Sequence, residues 1–186
     1  HAKREWKRLL KDTFHKLEFD TTMYYLKKYL PKKGLILDAG GGPGRYTIEL
    51  AKKGYDVVLL DYTPALLEIA KEEIKKVGIT KKVKDVIEGS ITNLSMFENN
   101  MFDAIICLGG PLGHVNNRRK ALSELKRVTK KNGLIFVSVI GRIGTLMNAP
   151  TFWSTEIKMT EHFKSIVEKG DDYKWHGRYY SHFFLP

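Results

Sequence analysis

The stretch GLILDAGGGPGRYTIELAKKG, residues 34–54, decides the fold. It opens with a short apolar run at residues 34–38, passes through a turn rich in glycine, and continues with helical spacing from Tyr46 to Lys53. Glycines after a strand let the backbone approach a ligand closely, and the helix that follows offers free N–H groups in its first turn. The stretch therefore predicts a strand, a ligand-binding turn and a helix.

The spacing of these glycines separates classes of nucleotide-binding protein. A dinucleotide-binding turn has the pattern Gly-x-Gly-x-x-Gly. Counting from Gly40, the last position is Arg45, and counting from Gly42 it is Thr47. A phosphate-binding P-loop requires Gly-Lys-Ser/Thr after the turn, which this sequence does not have. The pattern present is acidic-x-Gly-x-Gly-x-Gly, formed by Asp38, Gly40, Gly42 and Gly44.

Strand and helix patterns alternate along the rest of the core. Strands that are apolar throughout and alternate with helices indicate a parallel sheet covered on both faces. The predicted fold class is therefore α/β, with a doubly wound, mostly parallel sheet flanked by helices. The further predicted strands are Asp56–Asp61, Val83–Glu88, Phe102–Cys107 and Gly133–Ile140, and the further helices are Pro64–Val77 and Arg118–Val128.

The segments on either side complete a single predicted domain over residues 1–186. From Trp6 to Leu30 apolar residues return at helical spacing, which predicts two amphipathic helices and hence a helical cap over residues 1–30. Residues 31–141 form the predicted cofactor-binding core. Residues 142–186 form a part on the substrate side, in which Thr155–Lys169 favours a helix.

Composition bounds the class of protein. A hydrophobic fraction of 42% and a charged fraction of 28% are ordinary for a soluble globular protein. No apolar run approaches the roughly 20 residues of a membrane span, so we expect no membrane partner and a cytoplasmic location. Cys107 lies in an apolar run, which indicates a buried thiol, and no spacing of His, Cys and Asp predicts a metal site.

Lysine and arginine together exceed aspartate and glutamate by 11. Such an excess is found in proteins that bind nucleic acid, provided that the charges gather on one face. Here basic doublets are spread along the chain, mostly at helix ends and in connections, which favours an ordinary solvated surface. The doublets are Lys27-Lys28, Lys32-Lys33, Lys52-Lys53, Lys75-Lys76, Lys81-Lys82 and Lys130-Lys131.

Two carboxylates are predicted at the ends of neighbouring strands. Asp38 ends the first strand and Asp61 ends the second, 23 positions later. In a parallel sheet both ends lie at the edge where ligands bind. Two carboxylates suit a positively charged ligand and oppose a pyrophosphate. Either residue alone is equally well explained as a turn or cap residue, and the prediction of a site rests on their combination with the glycines.

The segment from Asp38 to Gly44 resembles the first motif of class I S-adenosylmethionine-dependent methyltransferases. The resemblance extends from about Trp6 to the end of the chain and is greatest to small stand-alone bacterial and archaeal methyltransferases. It implies a Rossmann-like sheet, S-adenosylmethionine as cofactor and S-adenosylhomocysteine as product. The family closes its sheet with a last helix and an antiparallel hairpin. We expect this closing part to be absent or truncated, because the sequence stops at Pro186 where that helix would begin.

The resemblance also implies a role for each residue at the cofactor. Asp38 would hold the methionine amino group, Asp61 would accept hydrogen bonds from both ribose hydroxyls, and Tyr62 would pack on the adenine. Ser90 stands where the family often has an acidic residue at the adenine edge, and residues 108 and 109 would lie beside the methionine portion. The residues assigned in this way are Asp38, Gly40, Gly41, Gly42, Gly44, Asp61, Tyr62, Ser90, Ile91, Leu108 and Gly109.

The acceptor side is less specified. After the fourth strand there is neither an Asn/Asp-Pro-Pro-aromatic sequence nor a Pro-Cys pair, which disfavours the nucleobase chemistry that uses them. His114 in the loop after that strand is a candidate general base, although an ordinary hydrogen-bonding role is the simpler explanation. Candidate residues for a lid over the substrate, with ordinary packing as the alternative, are His15, Tyr24, Tyr25, Tyr179, Tyr180 and His182.

We therefore expect methyl transfer to a small-molecule oxygen, nitrogen or carbon nucleophile by direct in-line displacement. Two alternatives stay open. One is an RNA-directed methyltransferase, for which basic residues around the mouth of the pocket would be required. The other is a non-catalytic protein that binds S-adenosylmethionine or S-adenosylhomocysteine. The sequence predicts neither the acceptor nor the oligomeric state.

Overall fold

The computed structural model describes residues 2–141, 168–169, 171–172 and 181–182 of the 186-residue chain. Strands and helices alternate through the described core, as the sequence predicts. The helices are α1 (Ala2–Lys7), α2 (Thr13–Tyr29), α3 (Arg45–Lys52), α4 (Pro64–Val77) and α5 (Arg118–Val128). The strands are β1 (Leu35–Ala39), β2 (Asp56–Asp61), β3 (Val83–Glu88), β4 (Phe102–Cys107), β5 (Thr129–Val137), β6 (Asp171–Asp172) and β7 (Ser181–His182). Two short 3₁₀ helices are Arg8–Leu10 and Pro111–His114.

The first five strands form one parallel sheet in the order β3-β2-β1-β4-β5. The chain moves outward from β1 to β3 and then returns to the other side of β1 to add β4 and β5. The direction of winding therefore reverses between β1 and β4. In such sheets the crevice outside the carboxyl ends of the two strands at the reversal is where ligands bind. The predicted doubly wound α/β fold is confirmed, and its topology indicates where a site belongs.

The core lies on both faces of this sheet because successive side chains of a strand point to opposite faces. On one face, Leu37 and Ile105 pack with Leu125 of α5. On the other face, Ile36 packs with Leu26 of α2 and with Leu50 of α3. Burial on both sides explains why the three inner strands, β1, β2 and β4, are almost uniformly apolar.

The single cysteine belongs to this core. Cys107 is fully buried at the end of β4, and burial raises the pKa of its thiol to about 12. A thiol that is buried and protonated is chemically inert, because the thiolate is the reactive form. The prediction of a buried structural thiol is confirmed.

Most element bounds agree with the predictions, and β5 differs. The sequence predicts a strand at Gly133–Ile140, whereas β5 spans Thr129–Val137. The pairing explains the difference: Phe102 pairs with Thr129, while Ala104, two residues later, pairs with Leu134. The polar residues 130–133 form an irregularity inside the strand, so the strand begins before its apolar part.

The helical cap buries only part of the set of apolar side chains that its periodicity indicates. Leu9, Leu26 and Leu30 are buried. Of the other apolar residues of the predicted stripe, Trp6 is partly buried, whereas Leu10, Phe14, Leu17, Tyr25 and Tyr29 are each about half exposed or more. Helix α2 begins after Asp12, whose carboxylate accepts a hydrogen bond from the backbone N–H of His15, as an N-cap residue does.

The six basic doublets are almost all exposed, as expected for a solvated surface, and they also share one edge of the sheet. Each lies in the last turn of a helix that leads into a strand, in the connection that follows, or at the start of β5. In a parallel sheet all these positions return to the edge formed by the amino ends of the strands. Lysines at helix carboxyl termini are also favoured by the helix dipole. The doublets therefore lie at the amino edge, opposite the edge where ligands bind.

Beyond residue 141 the structure describes residues 168–169 and the strands β6 and β7, which form a sheet separate from the five-stranded one. These two strands pair antiparallel with each other, and β7 lies beside the 3₁₀ helix Pro111–His114. The predicted helix Thr155–Lys169 lies outside the described residues except for its last two positions, and Tyr179 and Tyr180 lie outside them entirely. Among the helices that the structure describes, none is long and apolar enough to cross a membrane.

Candidate functional site

The candidate site lies at the carboxyl ends of β1, β2 and β4. The glycine turn, residues 40–44, leaves β1 and leads into α3. Asp61 is the last residue of β2, and Gly109 follows β4 directly before the 3₁₀ helix Pro111–His114. The topology thus brings together three segments that are far apart in sequence, as predicted from the parallel sheet.

The backbone of the turn has a conformation that requires glycine. Gly40, Gly42 and Gly44 have φ values of +79°, +55° and +75°, in the left-handed region that other residues rarely adopt. Space is restricted as well: a Cβ atom on Gly40 would lie 2.6 Å from Cγ of Pro111, and one on Gly41 would collide with the carboxylate of Asp38. The turn is therefore packed against both the loop after β4 and the acidic residue of β1.

The N–H groups of the turn are used inside the protein. Gly40 and Gly41 donate to the carbonyl oxygen of Leu60, at 2.7 and 3.2 Å, and Gly42 donates to Oδ2 of Asp61 at 2.8 Å. Gly44 donates to the carbonyl oxygen of Gly41. A loop that binds phosphate directs such groups at the ligand. This turn instead holds its neighbouring strands and carboxylates in place.

Asp38 is buried and only partly satisfied. Its Oδ2 accepts hydrogen bonds from the backbone N–H of Thr47 at 3.1 Å and from the Thr47 hydroxyl at 2.6 Å. Its Oδ1 is buried, and among the described residues nothing donates to it. Burial is the main cause that raises the pKa of Asp38 to about 7, and the nearby charge of Asp61 adds to it. In the ionised carboxylate a buried acceptor without a donor is costly, so Oδ1 of that form is suited to a cationic donor on a ligand.

Asp61 joins the turn to the loop after β2. Its Oδ2 accepts from Gly42 and its Oδ1 accepts from the backbone N–H of Thr63, both at 2.8 Å. A carboxylate offers about four acceptor positions, so two remain for a ligand's hydroxyl groups. Asp61 is largely buried, with 9% of its surface exposed at the carboxyl edge of the sheet.

The other residues assigned to the cofactor have varied surroundings. Tyr62 is 76% exposed beside Asp61, so its ring face is available for packing. The Ser90 hydroxyl contacts that of Thr92, and the Ile91 side chain lies in the core. The N–H of Gly109 donates to the Ser138 hydroxyl at 2.7 Å, while Leu108 packs partly against the core.

The candidate acceptor residues are not all brought together. His114 is exposed at the end of the 3₁₀ helix that follows β4, and the backbone of β7, which contains His182, lies beside that helix. His15, paired with Asp12, lies in the first turn of α2. Tyr24 and Tyr25 lie nine and ten residues later, about 14 Å along the helix. These two tyrosines are therefore near the amino edge, away from the site.

Two contributions to the site are not apparent from the sequence. Thr47 holds Asp38 with two hydrogen bonds, and the guanidinium of Arg8 lies beside Gly109. A hydroxyl residue in the first turn of the helix after the acidic motif is the signal that could have indicated Thr47. No local signal indicates Arg8, which is about one hundred positions from Gly109 in the sequence. Among the described residues no cluster of His, Cys, Asp and Glu could hold a metal ion.

The raised pKa of Asp38 predicts a characteristic dependence of stability on pH. Between pH 3.8 and about 7 the unfolded protein has an ionised carboxyl at this position, whereas the folded protein keeps its proton. The folded state therefore binds more protons, and the contribution of Asp38 to the free energy of unfolding falls as pH rises through this window. In Asp38→Asn we expect this fall to be absent, measured by urea unfolding at several pH values.

A matched control distinguishes this effect from a general loss of negative charge. Asp20→Asn changes an exposed carboxylate on α2 and should keep the wild-type pH profile. Other carboxyl groups, such as Glu124, contribute equally to the wild-type protein and to both variants. If Asp38→Asn and the wild-type protein have parallel profiles between pH 4 and about 7, then Asp38 does not titrate in this window.

Comparison with known proteins finds similarity to methyltransferases in both sequence and structure. The profile of the family described as "Methyltransferase domain" matches residues 37–137, which is more than half of the chain. A demethylmenaquinone methyltransferase of Renibacterium salmoninarum is 36% identical over 103 residues, which cover 55% of this chain and 40% of that protein. A glycine/sarcosine N-methyltransferase of Parasynechococcus marenigrum is 31% identical over 105 residues, 55% of this chain and 36% of that protein.

Similarity in structure extends further than similarity in sequence. A crystal structure of a Methanococcus maripaludis protein, proposed to be an S-adenosyl-L-methionine-dependent methyltransferase, aligns with a TM-score of 0.65 at 18% identity. The alignment covers 100% of this chain and 92% of that one. At this identity the likeness shows a shared fold. The chain spans less than half the length of either curated relative named above.

Proposed function

The chain belongs to the methyltransferase-domain family, and from this premise we propose that it transfers the methyl group of S-adenosylmethionine to a small-molecule nucleophile. The observation that carries the proposal is the pair of carboxylates, Asp38 and Asp61, in a turn whose own N–H groups are already used. A pyrophosphate would meet negative charge here and few free donors. A nucleoside with an ammonium and a sulfonium group meets complementary charge.

The residues present fit this cofactor. The ammonium of its methionine portion would donate to Oδ1 of Asp38, the buried acceptor without a donor. The ribose hydroxyls would donate to the remaining acceptor positions of Asp61. The exposed ring of Tyr62 would cover the adenine. When bound, the cofactor would supply a methyl group attached to a positively charged sulfur. The sulfur is a good leaving group because it departs as a neutral thioether.

The reaction that follows is a single displacement. A lone pair of the acceptor forms a bond to the methyl carbon, the carbon–sulfur bond breaks with its electron pair going to sulfur, and the products are the methylated acceptor and S-adenosylhomocysteine. An acceptor that loses a proton transfers it to water or to a base, for which exposed His114 is the candidate. The protein's main contribution is to hold the acceptor in line and to exclude water.

The six basic doublets do not support an RNA substrate, although other basic residues, such as Arg4 on α1 and Arg118 at the start of α5, lie at the carboxyl edge. All six doublets lie at the amino edge of the sheet, whereas the carboxylates lie at the carboxyl edge. A strand of the sheet is about 20 Å long, so charges at one edge do not bind a substrate at the mouth of the pocket on the other. The names of the two curated relatives also refer to small-molecule acceptors, a quinone and an amino acid.

Calorimetric titration tests the cofactor. We expect the protein to bind S-adenosylmethionine and S-adenosylhomocysteine and to show no binding of NAD, because the turn offers carboxylates where a pyrophosphate would lie. Binding of NAD alone would contradict the proposal. The two nucleosides differ only by the transferred methyl group, so binding of both also shows that the pocket accommodates donor and product.

A labelling experiment tests the acceptor. The protein is incubated with S-adenosylmethionine labelled in its methyl group, together with either a pool of small metabolites or total RNA. Label in a small molecule supports the proposal, and label in RNA alone overturns the small-molecule assignment. Tight binding of the cofactor without transfer to either pool would favour a non-catalytic binding protein.

A further inference from the structure

The first residues of the chain form a strap across the carboxyl edge of the sheet. This N-terminal strap, residues 2–10, consists of α1 and the 3₁₀ helix that follows it. Leu9 is buried and anchors the strap in the core. Arg45, the first residue of α3, donates from Nη2 to the carbonyl oxygen of Trp6 at 2.8 Å, and its guanidinium lies 3.5 Å from the centre of the Trp6 ring. The strap is thus fixed directly after the glycine turn.

The strap then reaches the opposite side of the site at Arg8. A Cβ atom on Gly109 would lie 3.5 Å from Nη2 of Arg8, so the guanidinium is in contact distance of the loop after β4. Its Nε donates to Glu5, and its Nη1 is 3.6 Å from Glu18. Among the described residues nothing accepts a hydrogen bond from Nη2. The two glutamates therefore orient the guanidinium and leave one edge of it turned toward Gly109.

The charges around the site indicate which ligand group the free edge of the Arg8 guanidinium would bind. The proposed ligand ends in an amino acid, which carries a carboxylate next to its ammonium. Asp38 and Asp61 attract the ammonium and sulfonium but repel the carboxylate, so the carboxylate requires a cation of its own. The guanidinium of Arg45 is already stacked on Trp6 and bonded to it, and its Nε, for which the described residues offer no acceptor, is buried. Arg8 is 30% exposed and has donors available beside the residues expected at the methionine portion.

We propose that Arg8 binds the α-carboxylate of the cofactor's methionine portion, so that the strap and the sheet together recognise the amino-acid end of the ligand. This inference rests on the proposed function. It assigns Asp38 and Arg8 to the two charges of one amino acid. A nucleoside thioether that lacks the amino acid would gain nothing from Arg8.

The test compares two ligands that differ in this end. Affinities for S-adenosylhomocysteine and for 5′-methylthioadenosine are measured by calorimetry on the wild-type protein, Arg8→Gln and Arg8→Lys. We expect Arg8→Gln to weaken binding of S-adenosylhomocysteine by about ten- to one-hundred-fold, since a charged hydrogen bond is lost. Binding of 5′-methylthioadenosine should be unchanged. Arg8→Lys should restore part of the affinity, because it keeps the charge but loses the planar fork.

Arg4→Gln is the matched control, since Arg4 is an exposed arginine one helical turn earlier on the same strap. It should leave both affinities unchanged. An equal loss for both ligands in Arg8→Gln means that Arg8 only supports the strap, and full affinity for S-adenosylhomocysteine means that it does not contact the carboxylate. Either result overturns the inference alone. A wild-type protein that binds neither ligand overturns the proposed function, and the inference with it.

Discussion

Replacing Asp61 with asparagine is expected to weaken binding of S-adenosylhomocysteine by about one-hundred-fold. Both oxygens of the carboxylate already accept backbone N–H groups, from Gly42 and from Thr63, at 2.8 Å. An amide has one oxygen and one NH₂ group, so one of the two backbone donors would face another donor. The glycine turn would lose part of its support, and the ribose hydroxyls would lose a charged acceptor. Calorimetric titration of the purified variant measures the effect.

The companion variant is Asp56→Asn, at the other end of the same strand. Asp56 forms exposed ion pairs with Lys82 and Lys84 at the amino edge, and its replacement should leave cofactor affinity at the wild-type value. Asp61→Asn should also weaken binding of 5′-methylthioadenosine, because that ligand retains the ribose. This separates Asp61 from Arg8, whose effect depends on the amino acid. Wild-type affinity in Asp61→Asn would rule out the proposed ribose contact.

The sheet could be predicted closely because its strands carry their own signal. The runs Asp56–Asp61, Val83–Glu88 and Phe102–Cys107 are bounded by turn residues and are observed with the predicted bounds. Strand β5 differs because its first residues are polar and are held by pairing with β4, which the sequence does not show. The cap differs for a related reason: periodicity indicates that a helix has an apolar stripe, but tertiary packing decides which side is buried.

The candidate site could be predicted only for residues whose position next to a strand is visible in the sequence. Asp38, Asp61 and the glycines follow strands directly, so the parallel topology alone brings them together. The Thr47 hydroxyl donates to Oδ2 of Asp38, and Oδ1 has no donor among the described residues. This difference between the two oxygens depends on the orientation of the Asp38 side chain, which the spacing of residues in the sequence does not determine. The shared position of the basic doublets at one edge is not apparent from the sequence, because each doublet lies in a separate helix end, connection or strand start. In a parallel sheet their positions are correlated.

Gly40→Ala is expected to have the second large effect, on stability and on cofactor binding together. The left-handed backbone of Gly40, with a φ value of +79°, costs an alanine about 1–2 kcal/mol. The new Cβ atom would also lie 2.6 Å from Cγ and 2.8 Å from Cβ of Pro111, well inside van der Waals contact. A crowded site of this kind typically costs a further 1–3 kcal/mol. Urea unfolding should therefore show a loss of about 2–5 kcal/mol.

Gly78→Ala isolates the contribution of this contact. Gly78 ends α4 with a φ value of +74°, close to that of Gly40, but a Cβ atom there would meet no atom within 4 Å. This control bears the backbone strain without the collision, so we expect a loss of about 1–2 kcal/mol and unchanged affinity for S-adenosylhomocysteine. The difference between the two variants then measures how tightly Pro111 holds the turn. Equal losses, with cofactor binding retained in both, would mean that the turn and the loop after β4 move apart freely. In that case the close packing between the glycine turn and Pro111, where the winding reverses between β1 and β4, would have no part in positioning Asp38 for its ligand.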